Sequence, residues 1–241
     1  MKHYKISIIT ICFNAENVIE QTILSIIGQT YGNKEYIIID GQSTDGTLEL
    51  IKKYDSKISK WISEPDKGIF DAMNKGLNYA TGDWVIFMNA GDCFYDKQVL
   101  SKIFNNKDYS NKYILYGDTL YRRKNSSNLE IAKKPSYISK NMPTSHQSFF
   151  VRLQEAKNLE FDTNLKYVAD YKMIYHIYKK YGKKSVVHMN INVSKYEAYL
   201  GLTMQKPNEV FHETLAVRNW SPNKLYGYVK YFIKKYCLKK K

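Results

Sequence analysis

Six carboxylates stand near points in the first hundred residues where apolar runs stop or loops begin: Asp40, Asp45, Glu64, Asp66, Asp71 and Asp92. A carboxylate wall repels phosphate unless a hard divalent cation bridges the two. Such a cation also stabilises a departing diphosphate. The stretch WVIFMNAGDCF, residues 84–94, shows the pattern in brief: an apolar run, then Asn89, Gly91 and Asp92. Other chemistries lack their residues. Neither GxGxxG nor GxxxxGK[ST] follows the first apolar run, which removes the main support for dinucleotide and P-loop sites. There is no HExxH, the five histidines are scattered, and no GxSxG elbow is present. Cys12, Cys93 and Cys237 lie too far apart for a disulfide framework or zinc knuckle. A reducing cytoplasm fits that usage.

The elements that must position these groups follow from the hydrophobic pattern. KISIITICF (5–13) reads as a buried strand, and VIEQTILSIIGQ places Val18, Ile19, Ile23, Ile26 and Ile27 on one helical side. KEYIIID ends a second strand on Asp40, and TLELIKKY is a short helix that Ser43 or Asp45 can cap. KWIS is a brief strand, PDKGIFDAMNKGLNYATG a loop, helix and stop, and WVIFMN a fourth strand. Continuous apolar strands alternating with amphipathic helices predict an α/β domain with a mostly parallel central sheet covered on both faces. Sites in such sheets lie beyond the C-terminal strand ends. The clusters 12–17, 40–45 and 89–92 all fall there. After Phe94 the rhythm changes. YILYGDTLYRRK and NLEIAKK read as edge strands or an antiparallel addition, SHQSFFVR as a polar entry into a strand or short helix, and VADYKMIYHIYKKYG as a helix opening near Asp170. KSVVHMNINVSKY is extended, and 203–241 looks helical, broken by Pro207 and Pro222. The expected organisation is one domain: a binding half over 1–95, a second half over 96–202, and a helical, basic C-terminal extension over 203–241.

KISIITICFNAENVIEQTILSIIGQT, YIIIDGQSTDGT, SEPDKGIFDAMNKG and GDWVIFMNAGD, in that order and spacing, resemble a family 2 glycosyltransferase of GT-A fold. HQSFF and ADYKM extend the likeness to about residue 182. The chain is similar to small bacterial enzymes that build lipopolysaccharide, capsule and other surface glycans. The resemblance implies an inverting transfer of a sugar from a nucleotide-diphospho-sugar to a hydroxyl of a glycan, a lipid-linked one being favoured. UDP-sugars are the expected donors, Mn²⁺ or Mg²⁺ the expected cofactor. It implies that Asp40 holds the base, that Phe13 and Asn14 belong to a loop over the nucleotide, and that Asp71 faces the nucleotide-sugar; Asp66 is a further candidate there, or a cap of the GIFDAMNKG helix. Asn89 and Asp92 match the metal motif with a departure: Asn89 replaces its first aspartate, and Asp92 alone keeps a charge as the metal ligand. Asp170 matches the general base, with Ala169 where a second carboxylate is usual. His146 falls near the acceptor pocket, where it can meet an acceptor hydroxyl, a donor phosphate or only the core.

The net charge of +14 attracts nucleic acid, anionic lipid or phosphate-bearing molecules without choosing among them. The surplus is all beyond Leu120. In LYGYVKYFIKKYCLKKK, residues 225, 228, 229, 232, 233 and 236 share a helical face among lysines, a pattern suited to an anionic leaflet. The expected place is therefore the cytoplasm, peripheral on the inner face of the plasma membrane. Two other classes compete. A nucleic-acid or anionic-lipid binder accounts for the charge but not for acidic strand ends, and no ordered aromatic RNA motif is evident; nucleic acid is not an expected partner. A sugar-phosphate nucleotidyltransferase would need a glycine-rich phosphate loop, which CFNAENVIE lacks.

Overall fold

The computed structural model describes residues 2–123, 126–197 and 206–218. Strand β1 (Ile6–Cys12) is buried at every residue. It pairs in parallel with β2 (Lys34–Asp40) on one side and β4 (Trp84–Phe87) on the other, and β3 (Lys60–Ser63) extends the sheet beyond β2. Alternation along β1 builds two cores. Ile6 and Ile8 pack in one with Ile19, Ile23 and Ile26 of helix α1 (Ile19–Ile27). Ile9 and Ile11 pack in the other with Phe70, Met73 and Leu77 of helix α3 (Ile69–Tyr79). The short helix α2 (Thr47–Lys53) starts from Gly46; neither Ser43 nor Asp45 is its N-cap.

The second half continues the same sheet, in the order β3-β2-β1-β4-β8-β6-β9-β5, with β7 beside β6. The strands are β5 (Cys93–Phe94), β6 (Ile114–Arg123), β7 (Ser126–Glu130), β8 (Phe149–Arg152) and β9 (Val186–Glu197). Here the pairing is mixed: β8 runs antiparallel to β4 and β6, while β9 runs parallel to β6. Of the two readings of the β6 segment, the antiparallel addition holds and the edge position does not: the strand pairs antiparallel with β7 and β8 and is interior. Its Ile114, Leu115 and Tyr116 are fully buried, because both β8 and β9 close on it. Helices α4 (Val99–Phe104), α5 (Leu153–Leu159) and α6 (Ala169–Tyr181) cover this half. Helix α7 (Pro207–Val217) begins at Pro207 instead of breaking there, since proline suits a first helical turn. The amphipathic stretch 225–237 lies outside the described residues. Among those described, no helix is long and apolar enough to cross a membrane.

Candidate active site

Strand β4 leads straight into the site. After it the chain turns at Gly91 (φ 97°), a conformation glycine adopts without penalty. Thr22 of α1 pins the turn: its hydroxyl accepts from the Gly91 N–H at 2.9 Å and donates to the Asp92 carbonyl at 2.8 Å. Asn89 and Asp92 are thereby held in the lining of a cavity of about 430 Å³.

The opposite wall comes from the second half. Residues His146–Ser148 form one turn of 3-10 helix ahead of β8, and Asp170 sits in the first turn of α6. Asn89 Nδ2 stands 3.2 Å from His146 Nε2, and His146 Nδ1 stands 3.7 Å from Asp170 Oδ2. Burial holds the His146 imidazolium down to about 4, so the ring is neutral near pH 7. Burial pushes the Asp170 carboxyl up to about 6, with Met73, Phe87, Phe149 and Met173 forming the apolar wall behind it. A neutral ring that accepts from Asn89 at Nε2 keeps its proton on Nδ1, facing Asp170. The row Asn89–His146–Asp170 thus joins the end of β4 to the start of α6.

Asn89, Asp92, His146 and Asp170 therefore line one cavity. Phe13, Asn14, Asp40, Asp66 and Asp71 do not line it: the first four lie at or beyond the ends of β1, β2 and β3, and Asp71 is in the first turn of α3. Asp40 is fully buried and accepts from the Ser43 N–H (3.0 Å), the Ser43 hydroxyl (2.5 Å) and the Ser63 hydroxyl (2.6 Å). That carboxylate supports the loop after β2 from beneath. Asn14 (φ 47°) accepts from the Thr44 N–H at 2.8 Å, tying the loops after β1 and β2 together. Asp45 braces the same junction through the N–H groups of Glu16 and Thr47, both at 3.1 Å. Asp66 accepts from the Gly68 N–H, and Asp71 from the Lys67 N–H; Lys75 bridges to Glu64 at 2.9 Å. On the open side the Phe13 ring is 63% exposed. A Cβ added at Gly41 would stand 2.6 Å from Asp66 Oδ2 and 3.4 Å from that ring. The absence of a side chain at Gly41 lets Asp66 pack closely over the backbone there, beside the Phe13 ring. β1 separates β2 from β4, so the ends of these two strands lie about two strand spacings apart, ~10 Å.

Among the described residues, no group of three or more His, Cys, Asp and Glu is placed to hold a metal ion. Asn89 Oδ1 is nevertheless a buried acceptor without a hydrogen-bond partner, close to Asp92 in the chain. Mg²⁺-like ions keep several waters and need one or two carboxylates besides phosphate oxygens, so this pair fits a cation shared with a diphosphate and does not form a closed cage. Sequence reasoning paid little attention to Gln147, which lines the cavity with a buried, unpartnered Oε1, and passed over Tyr121 and Lys166 on the same wall. Only their placement by β6, β8 and the approach to α6 reveals them.

The family described as Glycosyl transferase family 2 matches residues 7–170. A PGL/p-HBAD biosynthesis glycosyltransferase of Mycobacterium bovis is 32% identical over 123 residues, 49% of this chain and 48% of its own. A cholesterol galactosyltransferase of Borreliella burgdorferi is 34% identical over 114 residues, 46% of this chain and 32% of its own. The chain thus spans about half or less of the length of these curated relatives. Among solved structures, S. aureus TarS 1–349 in complex with UDP-GlcNAc superposes with a TM-score of 0.68 at 18% identity, covering 88% of this chain and 64% of that one. Glucosyl-3-phosphoglycerate synthase from Mycobacterium tuberculosis, with Mn²⁺, UDP and glucosyl-3-phosphoglycerate bound, gives 0.63 at 17%, covering 90% and 81%. At such identities these structures establish the likeness of fold alone.

Proposed function

The chain belongs to glycosyltransferase family 2, and from that premise we propose that it moves a sugar, hexosyl or N-acetylhexosaminyl, from a nucleotide-diphospho-sugar to a hydroxyl of a glycan acceptor, with inversion. The observation that carries the reading is the row from Asn89 through His146 to Asp170 across one cavity that Asp92 also lines. Phe13, Gly41 and Asp66 receive the nucleoside, uridine being favoured, while Asp40 and Asn14 hold their loops in place. Asp92 and Asn89 receive the diphosphate end with Mn²⁺ or Mg²⁺. When bound, that cation offsets the charge of the leaving diphosphate.

Asp170 takes the proton of the attacking hydroxyl. Its raised pKa suits the task, because a base that ionises near the working pH combines availability with proton affinity. The freed oxygen attacks the anomeric carbon on the face away from the diphosphate, and one displacement inverts the centre. His146 positions Asp170 through its Nδ1–H. The acceptor in this reading is a lipid-linked glycan of bacterial surface polysaccharide synthesis. The enzyme would then work in the cytoplasm against an anionic membrane face, with nucleic acid no part of its task.

The test is ligand-dependent thermal stabilisation with UDP, GDP and CMP and their sugars, each with and without Mn²⁺. One nucleoside diphosphate raises the melting temperature by mass action, and Asp92→Ala diminishes the rise. No shift with any nucleotide, with or without metal, would sink the proposal.

A further inference from the structure

We propose that Gln147 is a specificity residue that accepts a hydrogen bond from a hydroxyl of the transferred sugar, an inference that rests on the glycosyl-transfer reading above. Gln147 is 2% exposed and lines the large cavity. Its Oε1 is buried without a hydrogen-bond partner, and Asn89 Oδ1 is in the same condition. A buried amide carbonyl is ordinarily satisfied, and an orphan beside an open cavity marks a place where a ligand supplies the donor.

The two orphans belong together. β4 and β8 pair Trp84 with Arg152 and Val85 with Val151. Beyond that pairing Asn89 meets the turn that bears Gln147, its Nδ2 standing 3.2 Å from Nε2 of the preceding His146. Asp92, three residues beyond Asn89, belongs to the diphosphate end of the site; Asp170, reached across His146, belongs to the end where the attacking hydroxyl is held. The group that lies between a held diphosphate and its attacker is the sugar being moved. Two unpartnered carbonyl oxygens beside that space would favour a sugar that brings hydroxyl donors and disfavour one that lacks them.

The turn bearing Gln147 is also firmly built. Ser148 is fully buried, and its hydroxyl meets those of Thr119 at 2.8 Å and Ser194 at 2.7 Å. Ser145 meets the Tyr121 hydroxyl at 2.6 Å. A carbonyl fixed by such a frame discriminates more sharply than one on a mobile loop.

The test measures affinities of the full chain, with Mn²⁺ present, for UDP and GDP, for their glucose, galactose and N-acetylglucosamine derivatives, and for deoxy analogues of whichever sugar nucleotide binds. Gln147→Leu is expected to bind the nucleoside diphosphate as the native chain does and its sugar nucleotide ~10-fold more weakly. One deoxy analogue should bind the native chain ~10-fold more weakly and show no such deficit with the variant. Equal weakening of nucleoside diphosphate and sugar nucleotide would assign Gln147 a structural role and overturn the inference, as would unchanged donor affinity with a raised KM for acceptor. Should the variant fail to fold, the deoxy series on the native chain still decides, because a series in which no hydroxyl matters excludes the contact. A native chain that binds no nucleoside diphosphate removes the underlying reading and the inference with it.

Discussion

Asp170 is under two opposed demands, and they predict opposite effects of one substitution. The apolar wall at its back raises its pKa to about 6 from an ordinary 3.8. With Asp170 as the proposed base, catalysis needs the ionised form, so kcat should rise with pH through about 6 and level off above it. Folding favours the protonated form. Between the two pKa values the folded chain holds a proton that the unfolded chain has released, so this group's contribution to stability is full at low pH and is lost as pH climbs through about 6. Asp170→Asn removes the conflict. Transfer should fall ~10²–10⁴-fold while nucleotide affinity stays near native. At pH 7.5 the variant should be more stable than the native chain by about 1–3 kcal/mol, an advantage that vanishes near pH 4. Rate profiles and urea titrations at the two pH values measure both. A variant that is inactive but no more stable at pH 7.5 would mean the carboxylate is better solvated than its surroundings imply.

At the scale of elements, the contact of α3 with the sheet makes a sharp demand at Gly76. A Cβ there would lie 2.5 Å from Ile9 Cγ2 and 3.5 Å from Ile39 Cγ1. Alanine would ordinarily favour a helix over glycine by about 1 kcal/mol, but overpacking a closed core costs ~1–3 kcal/mol. Gly76→Ala should therefore destabilise, and an increase in denaturation midpoint would refute that packing. Asp40→Asn should likewise cost about 2–3 kcal/mol, because an amide cannot accept from all the donors that converge on the carboxylate. The parallel half was legible from residues 5–94 because each strand is an unbroken apolar run and each turn carries its polar cluster. That pattern also announced Asn89 and Asp92, and the acidic opening of VADYKM announced Asp170. Two things were not legible. The interior position of β6 depends on β8 and β9, distant in sequence, closing on it. The nearness of His146 to both Asn89 and Asp170 arises only when β8 docks antiparallel on β4, and no local spacing encodes that approach. Asp40 shows the converse: its place at a strand end was readable, but its complete burial under Ser43 and Ser63 was not.

Over the whole molecule, charge is divided as unevenly as the chemistry. Residues 1–120 hold 13 Lys and Arg against 15 Asp and Glu, so the net +14 arises entirely from the remainder. On the proposed reading, the half with the acidic strand ends would take an anionic donor with help from a cation. The basic remainder supplies Tyr121 and Lys166 to the cavity wall and ends in residues 219–241, which carry seven lysines and no acid. Each basic residue near an anionic leaflet contributes about 1 kcal/mol, with the attraction fading over a Debye length of ~10 Å at 0.1 M salt. Several together would hold the protein at a phosphatidylglycerol surface and leave it free of a phosphatidylcholine one. The full chain should sediment with anionic vesicles at 0.1 M salt and dissociate largely by 0.5 M. Transfer to a lipid-linked acceptor in such vesicles should fall in parallel, whereas transfer to a short soluble acceptor should change little. That difference separates a membrane role from general charge attraction. If salt depressed both reactions equally, the basic half would be acting on the donor instead. If RNA displaced the protein from vesicles and bound it more tightly at every salt concentration, the basic surface would belong to another partner.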